Sequence, residues 1–376
     1  MGIIRAMDDD SMATKENEVE KGTEQSSLGT AASDPNSRIL LAIGDLHGDY
    51  YRFLRHLREL ELLLPGTMAW NPERSNVDLV LIGDYTDWRG EPLETGLDET
   101  TEDGALGGFR ILELMLHISD ELQKLRRICP NFDSHFYPLL GNHDDMMLHS
   151  ADVFKFVSCQ TLLELLGKAR NFSGLKRVLT EAGLNQDQIE QMYSFLNWYV
   201  QGGEVTIKGF GGMEAWRDAM VGEIGNYMRY KLYLAVIVNH RLFSHSLPDL
   251  PCFWRPLEEI VKLPDNEFLQ ARESFTWGRK VWGYDYSSGT RTNMFTNEEL
   301  DKMLNSIGSD SAVIGHTPMS HSTEHVIAYD GRIINIDVHG APGGKAFIEE
   351  YHGSSKENKA PLRSSLMGSR RVECLA

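Results

Sequence analysis

The sequence predicts a layered α/β fold in which buried strands alternate with helices. Short apolar runs at residues 38–43, 77–82 and 135–140 each end in a small polar cluster. Such runs are typical of strands that are covered on both faces. Residues 50–64 and 107–127, which lie between these runs, have the apolar periodicity of helices. Together the two patterns indicate the β-α-β order of a layered α/β (α+β) fold.

The second half of the chain adds more strands after a mainly helical segment. Residues 146–230 are mostly helical in pattern, and we interpret them as an insert or cap. Strand-like runs follow at residues 231–238 and 311–314. The segment from Val326 to Val338 is typical of a hairpin that turns at Asp330 and Gly331. We therefore expect one main domain over residues 38–352.

The two ends of the chain differ in composition from this domain. Residues 1–37 are rich in charged and small polar residues and contain few large apolar ones, so they predict a disordered leader. Residues 353–376 have a similar composition and predict a flexible tail.

Composition and charge exclude several classes of protein. The chain has 376 residues, 41% of them hydrophobic, which is enough for a sizeable core. No apolar run approaches the roughly 18 residues of a membrane helix. A formal charge of −18 repels nucleic acid and anionic membranes, so we expect neither as a partner. The four cysteines are scattered without paired spacing, which favours a reducing, cytoplasmic compartment.

Five strand ends carry side chains that can bind metal ions. Three of them read Gly-Asp-Leu-His-Gly (44–48), Gly-Asp-Tyr-Thr-Asp (83–87) and Gly-Asn-His-Asp (141–144). The other two carry His245 and His316. A single Gly-Asp after a strand is usually only a turn, but five such turns in succession indicate a metal site. Carboxylate, amide and imidazole ligands suit Mn, Fe and Zn, and two such cations can generate hydroxide near neutral pH.

In the order and spacing of these motifs, residues 39–145 and 231–318 resemble the phosphoprotein phosphatases, which are calcineurin-like metallophosphoesterases. The opening motif and the His-Asp-Asp-Met-Met segment are more similar to the bacterial-type branch. That branch includes bacterial-like protein phosphatases and symmetrical diadenosine tetraphosphatases. The resemblance implies a β-sandwich flanked by helices, and it makes residues 38–352 the catalytic domain.

The resemblance also implies two divalent cations, Mn, Fe or Zn, and a role for each matching residue. His143 is the general acid beside the leaving oxygen, and Asp87 orients it. Hydroxide generated by the metals attacks phosphorus in line. The implied metal ligands are Asp45 and His47 for the first cation, Asp84 as the bridge, and Asn142, His245 and His316 for the second.

The last motif separates subfamilies. Many other metallophosphoesterases end with Gly-His-x-His, whose second histidine is an additional metal ligand. This chain reads Gly-His-Thr-Pro at 315–318, and Pro318 cannot bind a metal. The resemblance is therefore closer to the phosphoprotein phosphatases than to the nuclease and cyclic phosphodiesterase types.

Two arginines are candidate phosphate ligands. The first departs from the family pattern, and the second has a competitor. The family's Asp-Arg-Gly has become Asp-Trp-Arg-Gly, so the insertion of Trp88 displaces Arg89 by one residue. Arg89 either still reaches phosphate or has a reduced role. The family has a second arginine that binds phosphate, and here Arg272 and Arg279 are both candidates. The Trp-x-Arg spacing at 277–279 favours Arg279.

Two other histidines compete for metal roles. His240 lies five positions before His245, but the segment around His245 is more similar to the family motif. His240 is then a core histidine or a residue that supports a ligand. His339 follows a further strand and either supports a ligand or lies in a surface turn.

Three functions remain open from the sequence. The first is a phosphatase for phosphorylated proteins, most similar to the serine/threonine phosphatases, or for small phosphorylated molecules. The second is a dinucleoside polyphosphate hydrolase, for which the insert would bind the base. The third is a metal-binding scaffold in which the Trp88 insertion has dismantled the phosphate clamp.

Overall fold

The computed structural model describes residues 37–94, 104–168, 172–285, 288–318, 322–338, 340–353 and 359–364. Its strands are β1 (Ser37–Ile43), β2 (Val77–Leu81), β3 (His135–Pro138), β4 (Tyr233–Val238), β5 (Arg241–Ser244), β6 (Ser311–Ile314), β7 (Val326–Ala328), β8 (Ile333–Asn335), β9 (Phe347–His352) and β10 (Lys359–Arg363). Its α-helices are α1 (Tyr50–Glu59), α2 (Gly104–Ile128), α3 (Asn142–Ser150), α4 (Cys159–Lys168), α5 (Phe172–Glu181), α6 (Gln186–Trp198), α7 (Glu204–Gly209), α8 (Met213–Val221), α9 (Glu223–Lys231), α10 (Leu257–Ile260), α11 (Asp265–Trp277) and α12 (Asn297–Ile307).

The first sheet has the strand order β3-β2-β1-β9. β1, β2 and β3 are parallel, with Ile39 opposite Val77 and Leu79 opposite Phe136, while β9 is antiparallel to β1. Parallel neighbours need crossover connections, and the segments that contain α1 and α2 connect these strands. The carboxyl ends of β1, β2 and β3 therefore meet at one edge of the sheet.

The second sheet has the order β10-β4-β5-β6-β8-β7. β5, β6 and β8 are parallel neighbours, so their carboxyl ends also share an edge. β4 and β5 form an antiparallel hairpin. β7 and β8 form the hairpin predicted for residues 326–338, with Ile327 opposite Ile334.

The two sheets pack face to face, and helices cover their outer faces. In β1, Leu40 and Ala42 face the second sheet, whereas Leu41 and Ile43 face the helices. This alternation follows from the two-residue period of a strand. The interface between the sheets is formed by Leu40, Ala42, Val80, Ile82, Tyr137, Leu139, Val236, Val238, Phe243, Val313, Ile336 and Tyr351. The predicted layered fold, a β-sandwich flanked by helices, is confirmed.

The helices α3 to α9 form the mainly helical insert that the sequence predicts. Its apolar side chains are continuous with the main core, including Phe195, Trp198 and Trp216, which are fully buried. The rings of Trp198 and Trp216 stack with centroids 4.9 Å apart. α6 packs against α3, and α7 packs against α2. The contact between α7 and α2 thus anchors the insert to the sandwich, whereas its bounds of 146–230 stay a prediction.

The structure differs from the predicted tail at β10, which pairs with β4 in antiparallel orientation. Leu362 is buried, and the Arg363 guanidinium lies 4.0 Å from the centroid of the Tyr233 ring. These contacts offset the polar composition that predicted flexibility. Residues 354–358 and 365–376 lie outside the described residues, as does the predicted leader except Ser37, which begins β1. In the described ranges, no helix has both the length and the apolarity of a membrane span.

Candidate active site

The strand ends bring the predicted metal ligands together at one edge of the sandwich. Asp45 follows β1, Asp84 follows β2, and Asn142 begins α3 after β3. His245 follows β5 and His316 follows β6 in the other sheet. Carboxyl ends of parallel strands share an edge, which is why these turns converge. All six predicted ligands are buried: Asp45, His47, Asp84, Asn142, His245 and His316.

The first group of ligand atoms comes from the first sheet. One ligand atom each from Asp45, His47 and Asp84 lies within 4.8 Å of the others. His47 Nδ1 lies 3.0 Å from the carbonyl oxygen of Thr86, and its Nε2 lies 3.5 Å from Asp84 Oδ2. The carbonyl contact fixes the ring so that Nε2 points into the group, as is usual for metal-binding histidines.

The second group combines ligands from both sheets. Atoms of Asp84, His245 and His316 lie within 4.8 Å of one another. Asn142 Oδ1 lies 2.9 Å from His245 Nε2 and 2.8 Å from His316 Nδ1. His245 Nδ1 contacts the Ile82 carbonyl oxygen at 3.0 Å, so that Nε2 faces the group. Asn142 Oδ1 thus lies within 3 Å of one nitrogen of each of the two imidazoles.

Asp84 belongs to both groups. Its Oδ2 lies 3.5 Å from His47 Nε2 and 3.5 Å from His245 Nε2. Its Oδ1 accepts a hydrogen bond of 3.0 Å from the backbone N–H of His143, which fixes the plane of the carboxylate. One oxygen atom is thus equidistant from an imidazole of each group, so Asp84 is common to both groups.

The electrostatics of the centre suit cations. Burial, together with repulsion from Asp337, raises the pKa of Asp45 well above its usual value. Burial and the neighbouring Asp45 do the same to the pKa of Asp84. Burial lowers the pKa of His245 to about 3, and that of His316 falls well below its usual value for the same reason. Divalent metals bind neutral imidazoles and ionised carboxylates. A bound cation would relieve the repulsion that contributes to the raised pKa values of Asp45 and Asp84.

The backbone at the centre adopts a conformation that non-glycine residues rarely occupy. φ is 41° at His47, 52° at Asp84, 63° at Asp87 and 70° at His316. Each such residue costs about 1–3 kcal/mol and persists only where its surroundings hold it. Three of these four residues are predicted ligands and the fourth belongs to the predicted acid pair, and functional sites often hold such strain.

Two glycines permit the close approach of the ligand turns. A Cβ on Gly141 would overlap Asp84 Oδ1, and one on Gly315 would overlap Asp45 Oδ1. The structure therefore explains these two glycines by the carboxylates packed against them.

His143 and Asp87, the predicted acid pair, are in contact. His143 Nδ1 lies 2.8 Å from Asp87 Oδ2. Because a carboxylate can only accept, Nδ1 carries the proton of this bond, which leaves Nε2 for another partner. The His143 ring also lies edge-to-face with His47, with ring centroids 5.2 Å apart. The pair therefore lies beside the first group of predicted metal ligands.

The candidate arginines occupy different environments. Arg279 Nε donates to His316 Nε2 at 2.9 Å, and burial lowers the pKa of its guanidinium. Arg89 is 44% exposed in its side chain and lies 3.3 Å from Glu91. The structure thus brings Arg279 to the centre and leaves Arg89 at the surface beside it.

The competing residues lie elsewhere. Arg272 forms an ion pair with Asp145 and donates to the carbonyl oxygen of Ser364. His240 is exposed in the β4–β5 turn, at the other end of β5 from His245. His339 lies outside the described residues.

Trp88 is half-buried, packs on Gly104 at the start of α2, and donates from its indole to the Glu91 carbonyl oxygen at 2.8 Å.

Sequence reasoning missed two carboxylates at the centre. Asp144 accepts hydrogen bonds from the backbone N–H groups of Gly141, Asp84 and Tyr85, at 2.9, 2.8 and 3.1 Å, and so ties two ligand turns together. Burial raises its pKa to about 7. Asp337 is buried after β8 and acts electrostatically on Asp45. The rule that found the other ligands, a polar residue after a buried strand, would also have found Asp337.

The comparison with family models agrees with this geometry. The model described as calcineurin-like phosphoesterase matches residues 39–320, three quarters of the chain. The chain belongs to the calcineurin-like phosphoesterase family. This confirms the predicted family and the predicted enzyme class, a hydrolase of phosphate esters. The metal dependence of calcineurin-like phosphoesterases agrees with the two ligand groups described above.

Solved structures similar to this calcineurin-like phosphoesterase include three phosphatases of low sequence identity. A cold-active protein tyrosine phosphatase is 17% identical, with coverage of 84% of this chain and 74% of that chain and a TM-score of 0.49. A protein serine/threonine phosphatase from Saccharomyces cerevisiae is 12% identical, with coverage of 86% and 82% and a TM-score of 0.34. A candidate diadenosine tetraphosphatase is 13% identical, with coverage of 84% and 95% and a TM-score of 0.33. Similarity at this level assigns no substrate, and no curated protein matches the chain significantly.

Proposed function

We propose that this chain hydrolyses phosphate monoesters with two divalent cations bound side by side. The observation that carries the proposal is the position of Asp84 Oδ2, 3.5 Å from both His47 Nε2 and His245 Nε2. Asp45 and His47 would hold one cation with Asp84. Asn142, His245 and His316 would hold the other with the same carboxylate. Oxygen and imidazole donors of this kind suit Mn, Fe or Zn.

The cations supply the chemistry that side chains alone lack. When bound, they would generate a hydroxide nucleophile at neutral pH and neutralise the phosphate oxygens. The protein's own contribution is the fixed geometry: carbonyl contacts orient His47 and His245, and Asp144 holds the turn that carries Asp84. Such prior orientation avoids the entropic cost of assembling the reactants.

His143 is the proposed general acid. As the acid, His143 is the imidazolium: its Nδ1–H donates to Asp87, and its second proton, on Nε2, passes to the leaving oxygen and leaves a neutral imidazole. The oxygen–phosphorus bond of the ester breaks as the bond to the incoming hydroxide forms. The alcohol leaves with the proton from Nε2, and the phosphate group retains the hydroxide oxygen. Asp87 remains a carboxylate throughout.

Arg279 is the proposed phosphate clamp. Its guanidinium lies against His316 and is half-buried, so a phosphate bound there would meet a partly desolvated positive charge. Arg89 stays a weaker proposal, because it must leave Glu91 before it can contact a phosphate. The proposed substrates are phosphorylated proteins, in the manner of the serine/threonine phosphatases, or small phosphate monoesters.

Turnover measurements test the proposal. Protein supplied with manganese should release para-nitrophenol from para-nitrophenyl phosphate, and it should release phosphate from phosphoserine and phosphothreonine peptides. Diadenosine tetraphosphate serves as the competing substrate in the same assay. Faster cleavage of the dinucleotide than of the monoesters would identify the chain as a dinucleoside polyphosphate hydrolase and not a monoesterase. No product above the blank from any of these substrates would contradict an enzymatic role and leave a metal-binding scaffold.

A further inference from the structure

We infer that Trp198 and Thr206 of the helical insert are positioning residues, which hold the Asp87 carboxylate in the orientation that general-acid catalysis by His143 requires. The inference rests on the proposed function and deepens it. It assigns the insert a part in the reaction, because α6 and α7 supply the two shortest side-chain hydrogen bonds that Asp87 accepts besides that of His143. The neighbouring Thr86 hydroxyl is more distant, at 3.4 Å from Oδ1.

The contacts with Asp87 use both carboxylate oxygens. The Trp198 indole N–H donates to Oδ2 at 2.8 Å, and the Thr206 hydroxyl donates to Oδ1 at 2.6 Å. The same hydroxyl accepts from the backbone N–H of Asp87 at 2.9 Å. All three residues are buried, with exposures of 0% for Trp198, 3% for Thr206 and 1% for Asp87. Buried hydrogen bonds to a charged group are stronger than those between neutral groups.

A kink between α6 and α7 makes this pair of contacts possible. Helical geometry is lost at Gln201, with φ −94° and ψ 18°, and at Gly202, with φ 120° and ψ −13°. A Cβ on Gly202 would lie 2.9 Å from both the Cβ and the carbonyl oxygen of Asp87. The bend therefore packs directly against Asp87. Trp198, which precedes the bend, donates to Oδ2, and Thr206, which follows the bend, donates to Oδ1. In a straight helix, two residues eight positions apart would be separated by about 12 Å along the axis.

The consequence concerns the orientation of His143. Asp87 Oδ2 accepts from both His143 Nδ1 and Trp198 Nε1, each at 2.8 Å. Fixing the carboxylate plane fixes the direction of the Nδ1–H bond and hence the direction in which Nε2 points. Proton transfer to a leaving oxygen depends on that direction. Trp198 and Thr206 do not touch the reacting atoms, so they act only through Asp87.

Two isosteric variants and two substrates test the inference. Trp198→Phe keeps an aromatic ring and removes one hydrogen bond to Asp87. Thr206→Val keeps the shape of the side chain and removes two, to Oδ1 and from the backbone N–H. We expect each variant to lower kcat for phenyl phosphate, whose leaving group needs a proton, by about 3- to 30-fold. For 2,4-dinitrophenyl phosphate, whose leaving group is acidic, the loss should stay below about twofold. Equal loss on both substrates, or no loss on phenyl phosphate, would overturn the inference.

Matched controls separate positioning from a general loss of structure. Trp216→Phe alters the other ring of the same stack, whose indole N–H has no hydrogen-bond partner among the described residues. We expect this variant to keep the wild-type ratio of rates on the two substrates. Thr206→Ser retains the hydroxyl and should restore that ratio. Positioning through Asp87 would be contradicted if Trp216→Phe changed the ratio of the two rates. It would also be contradicted if Thr206→Ser failed to restore the wild-type ratio.

A double-mutant cycle gives the sharpest outcome. In an Asp87→Ala background, Trp198→Phe has no carboxylate left to orient, so it should lower kcat for phenyl phosphate by less than about twofold further. A second loss as large as that of the single variant would show that Trp198 acts by another route and would overturn the inference. If the wild-type enzyme hydrolyses none of the monoesters, the proposed function and this inference both fall. If it hydrolyses them and the cycle shows no coupling, only this inference falls.

Discussion

At the scale of single residues, Asp84 is the side chain on which the site depends. It contributes to both ligand groups, and burial together with repulsion from Asp45 raises its pKa well above its usual value. The cations would relieve that repulsion, so the carboxylate favours their binding. Its φ of 52° lies in a region that asparagine also adopts, which makes a neutral replacement possible without backbone change.

Asp84→Asn should reduce metal binding and turnover together. The variant loses the charge that two cations would share, so we expect metal content to fall from two ions per chain towards one. We expect kcat for para-nitrophenyl phosphate to fall at least about 100-fold. Metal analysis by mass spectrometry and turnover by absorbance measure the two effects. Asp330→Asn is the matched control, since Asp330 is exposed and has a φ of 55°. Two bound metals with full activity in Asp84→Asn would rule out the bridge.

His143→Asn should keep the metals and lose rate. General-acid catalysis contributes about 10²- to 10⁴-fold, so we expect a loss of that size on phenyl phosphate. The loss should shrink as the leaving group becomes more acidic, because such a group departs without a proton. His149→Asn is the control, because His149 lies on the same helix and is exposed. An equal loss across a series of substituted phenyl phosphates would exclude the acid role.

At the scale of elements, the turns after the strands control how closely the ligands approach. Gly141 has φ −88° and ψ 170°, a conformation open to any residue, so its need for glycine is steric and not conformational. The steric demand comes from Asp84, whose Oδ1 occupies the place of a Cβ. The turn before α3 and the turn after β2 are thus fitted to each other.

Gly141→Ala should therefore damage the centre while it leaves the helix intact. The added methyl group has to displace the Asp84 carboxylate, and a shift of about 1 Å at a catalytic site lowers rates by about 100-fold. Turnover of para-nitrophenyl phosphate and metal content check this. Gly167→Ala is the control, since nothing lies within 4 Å of a Cβ at that helical position. Wild-type turnover in Gly141→Ala would show that the turn has room to adjust.

The sequence predicted the strands well, and the residues that it proposes as metal ligands lie close together, because both depend on local patterns. An apolar run that ends in Gly-Asp or Gly-Asn-His marks the strand and the ligand at once, as at Asp45, Asp84 and Asn142. β10 was not predicted, because its sequence contains Pro361 and two basic residues and lacks the apolar pattern of a strand. It forms only by pairing with β4, which is distant in the sequence. The roles of Trp198 and Thr206 carry no local signal, because their partner Asp87 is 111 and 119 residues away.

At the scale of the whole molecule, the centre joins the two sheets of the sandwich. Asp45, His47, Asp84 and Asn142 follow strands of the first sheet, whereas His245 and His316 follow strands of the second. The second cation, whose ligands come from both sheets, would therefore cross-link them at their common edge. Ligands that bind only the folded state stabilise it by mass action, so the fold and the metals are thermodynamically linked.

Added manganese should raise the thermal stability of the protein. At a free concentration 100 times the Kd, one bound ion adds about 2.7 kcal/mol to the free energy of unfolding. For a domain of this size that corresponds to an increase in Tm of roughly 5 °C. Calorimetry with manganese and with a chelator measures the difference. The increase should be smaller in Asp84→Asn, and an identical increase in both proteins would place the stabilising ion elsewhere.

The central claim is that two cations lie on either side of the Asp84 carboxylate. An anomalous difference map from manganese-soaked crystals tests it most directly. We predict two peaks, one beside Asp45 and His47 and the other beside Asn142, His245 and His316, with Asp84 Oδ2 between them. A single peak, or peaks away from these side chains, would contradict the account.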